Sequence, residues 1–428
     1  MRRRRIFAIV GAGCVLVLAG GAVLAWWVVH RRTPDVHRGD ALPYTFTQDP
    51  TVPATTASSG KHQHGQSWGP AWPVYGRTMT RTRDASDLRS VRPPYRVLWK
   101  QSTGFLEYPP SYAKGRLYLY SNDGQLTAYD VKTGKRLWHH YTGPSGNKGL
   151  GEPAIDGNRV YVGSRANYVY SFHAKTGSLA WKTNVGAPME SSPAFNSHYL
   201  FMSDLDGNVR ALDLNTGRVV WKFHAAGAVK HGPALANGRL YFGDYAGVMY
   251  CLRASDGHLI WRTATHGLSS GFASGTFYST PAVAYGRVYI GNTDDKVYSF
   301  VASTGEIAWT YTLPWWAYGS PAVSDGRVFA TGADGTFVAF NARTGGVLWR
   351  HKLPHNSLAS PVVVGPYVYV ADRGASGRVH GDVYAFNPGN GRRVWSFPDG
   401  KYSSVIAADG MLVIAGFGHL YALKPINH

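Results

Sequence analysis

The fold is decided by the stretch from residue 203 to residue 221, which reads Ser-Asp-Leu-Asp-Gly-Asn-Val-Arg-Ala-Leu-Asp-Leu-Asn-Thr-Gly-Arg-Val-Val-Trp. It holds a polar turn at Gly207, an apolar run, a second turn at Gly217 and another apolar run that ends on Trp221. Two short β runs joined by a glycine-bearing turn predict a hairpin.

The same pattern recurs along the chain. Its tryptophan reappears at Trp99, Trp138, Trp181, Trp221, Trp261, Trp309, Trp349 and Trp395. The steps between them are 39, 43, 40, 40, 48, 40 and 46 residues. A fixed period near 40 residues is typical of a repeat architecture.

Three further landmarks keep a constant register with the tryptophan. A proline opens the units at Pro110, Pro153, Pro193, Pro233, Pro281, Pro321 and Pro361. An aromatic residue follows eight positions later, at Tyr118, Tyr161, Phe201, Tyr241, Tyr289, Phe329 and Tyr369. A glycine precedes each of the last seven tryptophans by four residues and supplies the positive φ of a tight turn. Each unit therefore predicts four short strands, A to D, and radially repeated four-stranded units predict a β-propeller.

The two ends of the repeat region fix the number of blades. Residues 402–424 supply strands A to C of an eighth unit, and Tyr95–Trp99 reads as a D strand without its own A to C. Joining them removes two open sheet edges that would favour aggregation. The sequence predicts an all-β, eight-bladed β-propeller of four-stranded antiparallel blades, whose last blade is closed by residues 95–101.

The N-terminal region predicts a membrane anchor. Residues 1–5 are a basic tail, and residues 6–29 carry no charge and are long enough for a transmembrane helix. A cleaved signal peptide is the rival interpretation, but its apolar region is ordinarily shorter. Residues 30–67 read as a flexible linker and residues 68–428 as the propeller. We expect a single-pass protein of the cytoplasmic membrane, N-terminus inside, with the propeller in the extracellular or periplasmic space.

Charge and cysteine content narrow the range of partners. The net charge is +19, of which residues 1–40 contribute +5, and such a bias favours anionic partners. Ordinary solubility of a basic protein is the alternative, since no run of Lys or Arg follows residue 32. The only two cysteines, Cys14 and Cys251, are not expected to pair. Export and the lack of basic–aromatic interleaving exclude nucleic acid as an expected partner.

The repeated tryptophans and aspartates are expected to be structural. A tryptophan placed once per blade at a fixed position is what packing between blades requires. The aspartates recur mostly at turn positions, such as Asp130 and Asp213, where a local backbone hydrogen bond explains them.

Residues 123–138 carry the repeat unit Asp-Gly-x-Leu-x-Ala-x-Asp-x-x-Thr-Gly-x-x-x-Trp, which resembles the PQQ-like (quinoprotein-type) propeller repeat. The resemblance covers about residues 68–424. It includes Ala71–Gly76, which is similar to the element that commonly precedes the first blade in this superfamily.

One branch of the superfamily implies an enzyme. Quinoprotein dehydrogenases oxidise alcohols or sugars with pyrroloquinoline quinone (PQQ) and Ca²⁺, and many hold a disulfide between adjacent cysteines against the cofactor. This chain has no adjacent cysteines and offers no evident set of calcium ligands. A PQQ-dependent alcohol or sugar dehydrogenase is therefore the alternative prediction.

The non-catalytic, BamB-like branch implies an extracytoplasmic binding scaffold without a cofactor. We adopt this as the main prediction: a monomeric, membrane-anchored scaffold that binds a protein or an anionic envelope polymer, with no PQQ, metal or catalytic residues expected.

The expected binding face follows from loop lengths. Every insertion falls in a D–A or B–C loop, and these loops emerge on the same side of a propeller. Aromatic and arginine side chains in them have the makeup of an interface or of a platform for sugar rings. The alternative is that the aromatics merely plug the mouth of the channel. The candidate binding residues are Phe272, Phe277, Tyr278, Trp315, Trp316, Tyr318, Arg165, Arg373 and Arg378.

Overall fold

The computed structural model describes residues 34–38, 71–143, 151–265, 275–375, 380–400 and 405–426. The chain divides into two compact units, Met1–Val36 and His37–His428. Of the first unit only residues 34–36 are described, and they have no regular secondary structure. All of the described strands belong to the second unit.

Within the described ranges we find no helix with the length and hydropathy needed to cross a membrane. The transmembrane segment predicted at residues 6–29 lies outside those ranges, as does most of the predicted linker.

Short antiparallel strands arranged in eight sheets make up the second unit. Two strands come before the first complete sheet, β1 (Asp84–Ala85) and β2 (Tyr95–Ser102). Blade 1 holds β3 (Ser111–Ala113), β4 (Arg116–Tyr120), β5 (Gln125–Asp130) and β6 (Arg136–Tyr141). Blade 2 holds β7 (Ala154–Asp156), β8 (Arg159–Gly163), β9 (Tyr168–His173) and β10 (Leu179–Asn184). Blade 3 holds β11 (Ala194–Phe195), β12 (Tyr199–Ser203), β13 (Asn208–Asp213) and β14 (Val219–His224).

The remaining blades repeat this order. Blade 4 holds β15 (Ala234–Ala236), β16 (Arg239–Gly243), β17 (Val248–Arg253) and β18 (Leu259–Ala264). Blade 5 holds β19 (Ala282–Ala284), β20 (Arg287–Gly291), β21 (Lys296–Val301) and β22 (Ile307–Thr312). Blade 6 holds β23 (Ala322–Ser324), β24 (Arg327–Thr331), β25 (Thr336–Asn341) and β26 (Val347–Lys352). Blade 7 holds β27 (Val362–Val364), β28 (Tyr367–Ala371), β29 (Gly381–Phe386) and β30 (Arg393–Gly400). Blade 8 holds β31 (Val405–Ala408), β32 (Met411–Ala415) and β33 (His419–Pro425), and β2 supplies its fourth strand.

The eight blades and their four antiparallel strands confirm the predicted propeller. Strand β2 pairs antiparallel with β33, from Tyr95 opposite Pro425 to Ser102 opposite His419. Blade 7 differs from the prediction, because β1 adds a fifth, parallel strand to the inner side of β27.

The repeated aspartate at the end of strand C is a turn residue, as expected. In blade 3 the Asp213 carboxylate accepts hydrogen bonds from the backbone N–H of Asn215 and Thr216 and from the Thr216 hydroxyl, at 2.8–3.1 Å. Gly217 completes the turn with φ of 72°. The register shifts by one residue between Ala211 and Leu212, a bulge that increases the local twist.

The repeated tryptophans join neighbouring blades, which confirms their structural role. Trp181 of blade 2 donates its indole N–H to the carbonyl oxygen of Leu214 in the C–D turn of blade 3, at 3.0 Å. Six others make the equivalent bond at 2.9–3.1 Å, from Trp99, Trp138, Trp221, Trp261, Trp309 and Trp349. The glycine of the next turn lies under the ring, and a Cβ built on Gly217 would come within 2.5 Å of Trp181. These glycines therefore allow both the turn and the stacking of the next blade.

The axis of the propeller is filled by residues 71–94, which the repeat pattern did not predict. The carbonyl oxygens of this segment accept N–H groups from successive A strands. Examples are Pro73 with Ile155 of blade 2, Thr80 with Val283 of blade 5 and Thr82 with Val323 of blade 6, each at 2.8 Å. We call residues 71–94 the central segment. It satisfies inner strand edges that would otherwise face an open channel.

Two buried arginines attach the central segment to the blades. Arg81, 1% exposed, donates to the carbonyl oxygens of Tyr75 at 2.6 Å, Pro193 at 2.7 Å and Pro233 at 3.3 Å. Arg83, 2% exposed, donates to the carbonyl oxygen of Pro361 at 2.7 Å. The prolines that open the units therefore present their carbonyl groups to the axis.

Candidate functional site

The structure brings the B–C and D–A loops together on one face. Arg165 in the B–C loop of blade 2 lies 2.6 Å from Glu190 in the D–A loop that follows the same blade. Tyr245 in the B–C loop of blade 4 packs on Tyr278 in the next D–A loop, with ring centroids 4.7 Å apart. We call this side of the propeller the loop face.

A lysine lies at the centre of a compact group of side chains on the loop face. The Nζ of Lys230 is 3.2 Å from Oε2 of Glu190 and 5.2 Å from the ring centroid of Tyr278. The other oxygen of Glu190 accepts a hydrogen bond from Arg165. The ring of Tyr318 stacks on Tyr278 with centroids 5.0 Å apart and an angle of 25°. We call these five residues the Lys230 cluster.

Burial and nearby charges determine the protonation of Lys230 and the net charge of the cluster. The Glu190 side chain is 6% exposed and the Lys230 side chain 13% exposed, whereas Arg165 is 39% exposed. Burial alone would lower the pKa of Lys230, but the nearby Tyr318, Glu190 and Glu107 outweigh it and raise that pKa above its usual value. Lys230 is therefore a cation at physiological pH, and with Arg165 against Glu190 the cluster presents one net positive charge.

The two adjacent tryptophans of the loop face lie in the D–A loop of blade 5. Their ring centroids are 5.8 Å apart. Trp315 is 45% exposed and Trp316 is half-buried, with its carbonyl oxygen held by the N–H of Ala333 at 2.8 Å. Neither indole takes part in the repeated packing between blades, so Trp315 leaves an apolar ring in solvent.

The other predicted residues are placed differently. Phe277 is 1% exposed and packs edge-on against Tyr298 and over Gly243, so it belongs to the core and not to the exposed face. Arg373 is exposed, and its backbone N–H donates to Asn356 at 2.8 Å. Phe272 and Arg378 lie outside the described residues.

Three of the predicted residues, Arg165, Tyr278 and Tyr318, lie together in the Lys230 cluster. The two residues that connect them, Glu190 and Lys230, were not predicted from the sequence. The position of Glu190 and Lys230 within the repeat unit could have indicated them. The residue three positions before the opening proline is Glu107, Glu190, Lys230, Tyr278, Tyr318 or Leu358 in six of the seven units. Since the prolines face the axis, this position forms a ring around the mouth of the channel.

Inside that ring lies a small pocket with about 30 Å³ of solvent-accessible space, which is room for roughly two water molecules. Tyr75 and Arg83 of the central segment line it, and the Arg83 guanidinium lies 4.5 Å from the ring centroid of Tyr75. Nε2 of His231 is 3.1 Å from the hydroxyl of Tyr108, another lining residue. We call this the axial pocket.

Several acidic side chains are buried in the propeller, among them Glu152, Asp204 and Asp244. No group of three or more His, Cys, Asp or Glu side chains suited to an ion occurs within the described ranges. Burial raises the pKa of Glu152 to about 8, against the opposing effects of Ser111, Arg83 and Arg81. The Asp204 and Asp244 carboxylates hold their own B–C turns through backbone N–H groups. The carboxylates of Asp204 and Asp244 are thus engaged in local turn hydrogen bonds.

The family model described as "Outer membrane protein assembly factor BamB" matches residues 49–198, 143–226, 205–290 and 266–401. These ranges cover most of the propeller. The chain belongs to this family.

Individual relatives match shorter stretches. The outer membrane protein assembly factor BamB of Moranella endobia is 32% identical over 108 residues, which is 23% of this chain and 27% of that protein. The quinohemoprotein alcohol dehydrogenase of Comamonas testosteroni is 34% identical over 79 residues, 16% of this chain and 11% of that protein. These matches span about a quarter or less of the length of the curated relatives.

Solved structures share the fold. The crystal structure of BamB from Moraxella catarrhalis aligns with a TM-score of 0.66 at 19% identity, covering 77% of this chain and all of that one. The structure of the Comamonas testosteroni dehydrogenase aligns with a TM-score of 0.70 at 12% identity, covering 88% and 85%. The BamB family and the quinoprotein dehydrogenases are thus both represented among its structural relatives.

Proposed function

We propose that the protein is a non-catalytic binding scaffold of the cell envelope that engages a protein or an anionic envelope polymer through its loop face. The observation that carries the proposal is the Lys230 cluster, in which five different loops converge on one cationic and aromatic group. Family membership supports a protein partner, because the BamB relatives are named as assembly factors.

The types of side chain exposed on the loop face support its role as a binding surface. Trp315 offers an exposed ring, and tyrosine, tryptophan and arginine are the residues that most often dominate interface energies. The net charge of +19 favours an anionic partner and speeds its approach at low salt. The proposal includes no bound quinone or metal ion.

The proposed membrane location, orientation and oligomeric state are based on the sequence. We propose that residues 6–29 anchor the protein in the cytoplasmic membrane with the propeller outside, and that the propeller acts as a monomer. Protease protection of spheroplasts measures the orientation: the propeller is digested from outside if the proposal holds, and is protected if the orientation is reversed.

Cross-linking and capture from envelope extracts test the binding face. We expect the Trp315→Ala/Trp316→Ala and Lys230→Ala variants to lose partners that the wild-type chain captures. Lys175→Ala is the matched control, because Lys175 is exposed in a C–D turn on the opposite side of blade 2. If all variants capture the same partners as wild type, the binding site lies elsewhere.

A quinoprotein alcohol or sugar dehydrogenase is the second candidate, supported by the likeness to the Comamonas testosteroni enzyme. The visible absorption spectrum and metal content of the purified protein separate the two. A bound quinone with stoichiometric calcium would establish the second candidate, and no dehydrogenase turnover after addition of PQQ and Ca²⁺ would remove it.

A further inference from the structure

We propose that the outer edge of blade 5 is the docking site for the chain that leads into the propeller, and that this contact shortens the tether of the protein. His37 and Arg38, at the start of the second unit, pair there with strand β22. The docking site is a property of the second unit alone. Its effect on the tether rests on the proposed membrane anchor at residues 6–29, and separate measurements test the two.

His37 and Arg38 contact β22 through the backbone. His37 lies opposite Trp309 in an antiparallel bridge, and the N–H of Arg38 donates to the carbonyl oxygen of Ala308 at 2.7 Å. Contacts of this kind add an extended segment to the edge of a sheet. The side chains of His37 and Arg38 are exposed. The backbone is therefore the part of the segment that β22 holds.

The burial of β22 distinguishes blade 5 from the other blades. The residue that follows the repeated tryptophan in strand D is exposed in the other seven blades, whereas Thr310 of blade 5 is 3% exposed. The residue before the tryptophan differs in the same way, because Ala308 is 0% exposed and its equivalent in blade 6, Leu348, is 48% exposed. Blade 5 is thus the blade whose outer strand is covered.

The sequence of β22 suits it to pairing with a further strand. In the other seven blades strand D contains lysine or arginine, and such charges on an edge oppose the addition of a strand. These residues are Arg96 and Lys100 of β2, Arg136 of β6, Lys182 of β10, Lys222 of β14, Arg262 of β18, Arg350 and Lys352 of β26, and Arg393 of β30. Strand β22 reads Ile-Ala-Trp-Thr-Tyr-Thr, without a charge or a proline. Once Arg38 is docked, its exposed side chain supplies the charge at this edge.

Docking at His37 shortens the chain between the predicted anchor and the propeller. From residue 29 to His37 the fully extended chain reaches at most about 29 Å. Without this contact, the first residue paired with a blade is Trp72, which forms a bridge with Tyr112 of blade 1. From residue 29 to Trp72 the extended chain reaches about 150 Å. The contact therefore keeps the propeller close to the membrane surface.

Hydrogen exchange on the full-length protein in detergent tests the docking site. Because the Arg38 amide is hydrogen-bonded to Ala308, we expect it to exchange at least about tenfold more slowly than an amide of an unpaired chain. This measurement needs no substitution, so it does not depend on whether a variant folds. Exchange of the Arg38 amide at the rate of an unpaired chain would refute the docking site.

Two lysine substitutions at equivalent positions show whether β22 provides the protection. Thr310→Lys places on β22 the residue that blade 2 carries as Lys182, and we expect it to remove the protection of the Arg38 amide because Thr310 is buried. Ser396→Lys changes the same position in blade 7, where the serine is exposed, and should leave the protection unchanged. Equal protection in the two variants would contradict the assignment to blade 5.

Energy transfer in nanodiscs that contain an acceptor-labelled lipid measures the tether. The donor dye is attached through Ser303→Cys, exposed in the C–D turn of blade 5, in a chain that carries Cys14→Ala. Arg38→Pro removes the N–H that Ala308 accepts, and we expect it to lower the transfer efficiency by at least about half. Arg38→Ala keeps that N–H and should transfer like the chain with Arg38.

The outcomes separate the tether from the anchor. Equal transfer in Arg38→Pro and Arg38→Ala would refute the shortened tether. Absence of transfer in every protein would refute the membrane anchor, and the tether with it, whereas slow exchange of the Arg38 amide would still establish the docking site.

Discussion

Trp395 of blade 7 packs edge-on against Tyr95 of strand β2, with ring centroids 5.2 Å apart and an angle of 74° between the rings. Each preceding tryptophan instead donates its indole N–H to the C–D turn of the next blade. Blade 8 has no such turn, because its strands C and D are β33 and β2, from distant parts of the chain. Tyr95 thus takes the place of the missing turn at the closure of the ring.

Deleting residues 95–101 should unfold or aggregate the propeller. The deletion removes most of β2, exposes the edge of β33 and takes away the partner of Trp395. Size-exclusion chromatography and thermal melting of the deletion variant check this. Deletion of residues 1–33 is the control and should leave the melting of the propeller unchanged. A monomeric product that lacks residues 95–101 and melts cooperatively would refute the closure.

Replacing the turn glycine of blade 3 tests the contact between blades. Gly217 and Gly238 share a φ of 72°, so alanine has the same backbone cost of about 1–2 kcal/mol at both. At Gly217 the new Cβ would also meet Trp181 at 2.5 Å, whereas nothing lies within 4 Å of Gly238. We expect Gly217→Ala to lower the free energy of unfolding by about 1–3 kcal/mol more than Gly238→Ala. Urea unfolding measures the difference, and equal values would contradict the packing role.

Loss of the Arg81 guanidinium should destabilise the propeller. Arg81→Met leaves the buried carbonyl oxygens of Tyr75, Pro193 and Pro233 without their donor. We expect the free energy of unfolding to fall by more than about 2 kcal/mol. The exposed Arg89→Met is the matched control and should change it by less than about 0.5 kcal/mol. Equal denaturant midpoints would show that the central segment is held by other contacts.

Glu152 should make stability depend on pH between about 4.5 and 8. Burial raises its pKa from 4.5 to about 8 in the folded chain, so the folded state keeps a proton that the unfolded state loses. Its contribution to stability is therefore complete below pH 4.5 and is lost as the pH rises to 8. Relative to wild type, Glu152→Gln should gain melting temperature steadily across this interval. A constant difference between the two proteins would mean that Glu152 is ionised throughout.

Much of the fold could be predicted because its signals are local and repeated. The turn at Asp213 and Gly217 is fixed within five residues, and its recurrence with one tryptophan per unit predicts the blades. The central segment could not be found in this way, because Arg81 and Arg83 occur once and donate to the backbone carbonyl oxygens of Pro193 and Pro361, more than a hundred residues away. Every residue has a backbone carbonyl oxygen, so the sequence does not indicate which of them accept these hydrogen bonds.

The candidate site was predicted in part for the same reason. Loop length indicated the loop face, and three of its predicted residues, Arg165, Tyr278 and Tyr318, lie in the Lys230 cluster. Phe277, however, is an aromatic residue of the same loop that lies in the core against Tyr298, and its residue type alone did not distinguish it from Tyr278. Lys230 and Glu190 carry ordinary charges in short loops, and their pairing is visible only once the loops meet.

The sequence by itself determined the repeat, the number of blades, the turns and the tryptophan contacts, because these depend on residues at fixed spacing that satisfy the same backbone and packing needs in each unit. Only the tertiary structure decided what lies on the axis. Closing eight blades into a ring brings loops from the whole chain to one mouth, and the central segment fills the space that remains. The Lys230 cluster and the axial pocket exist because the ring closes, and no single repeat contains either of them.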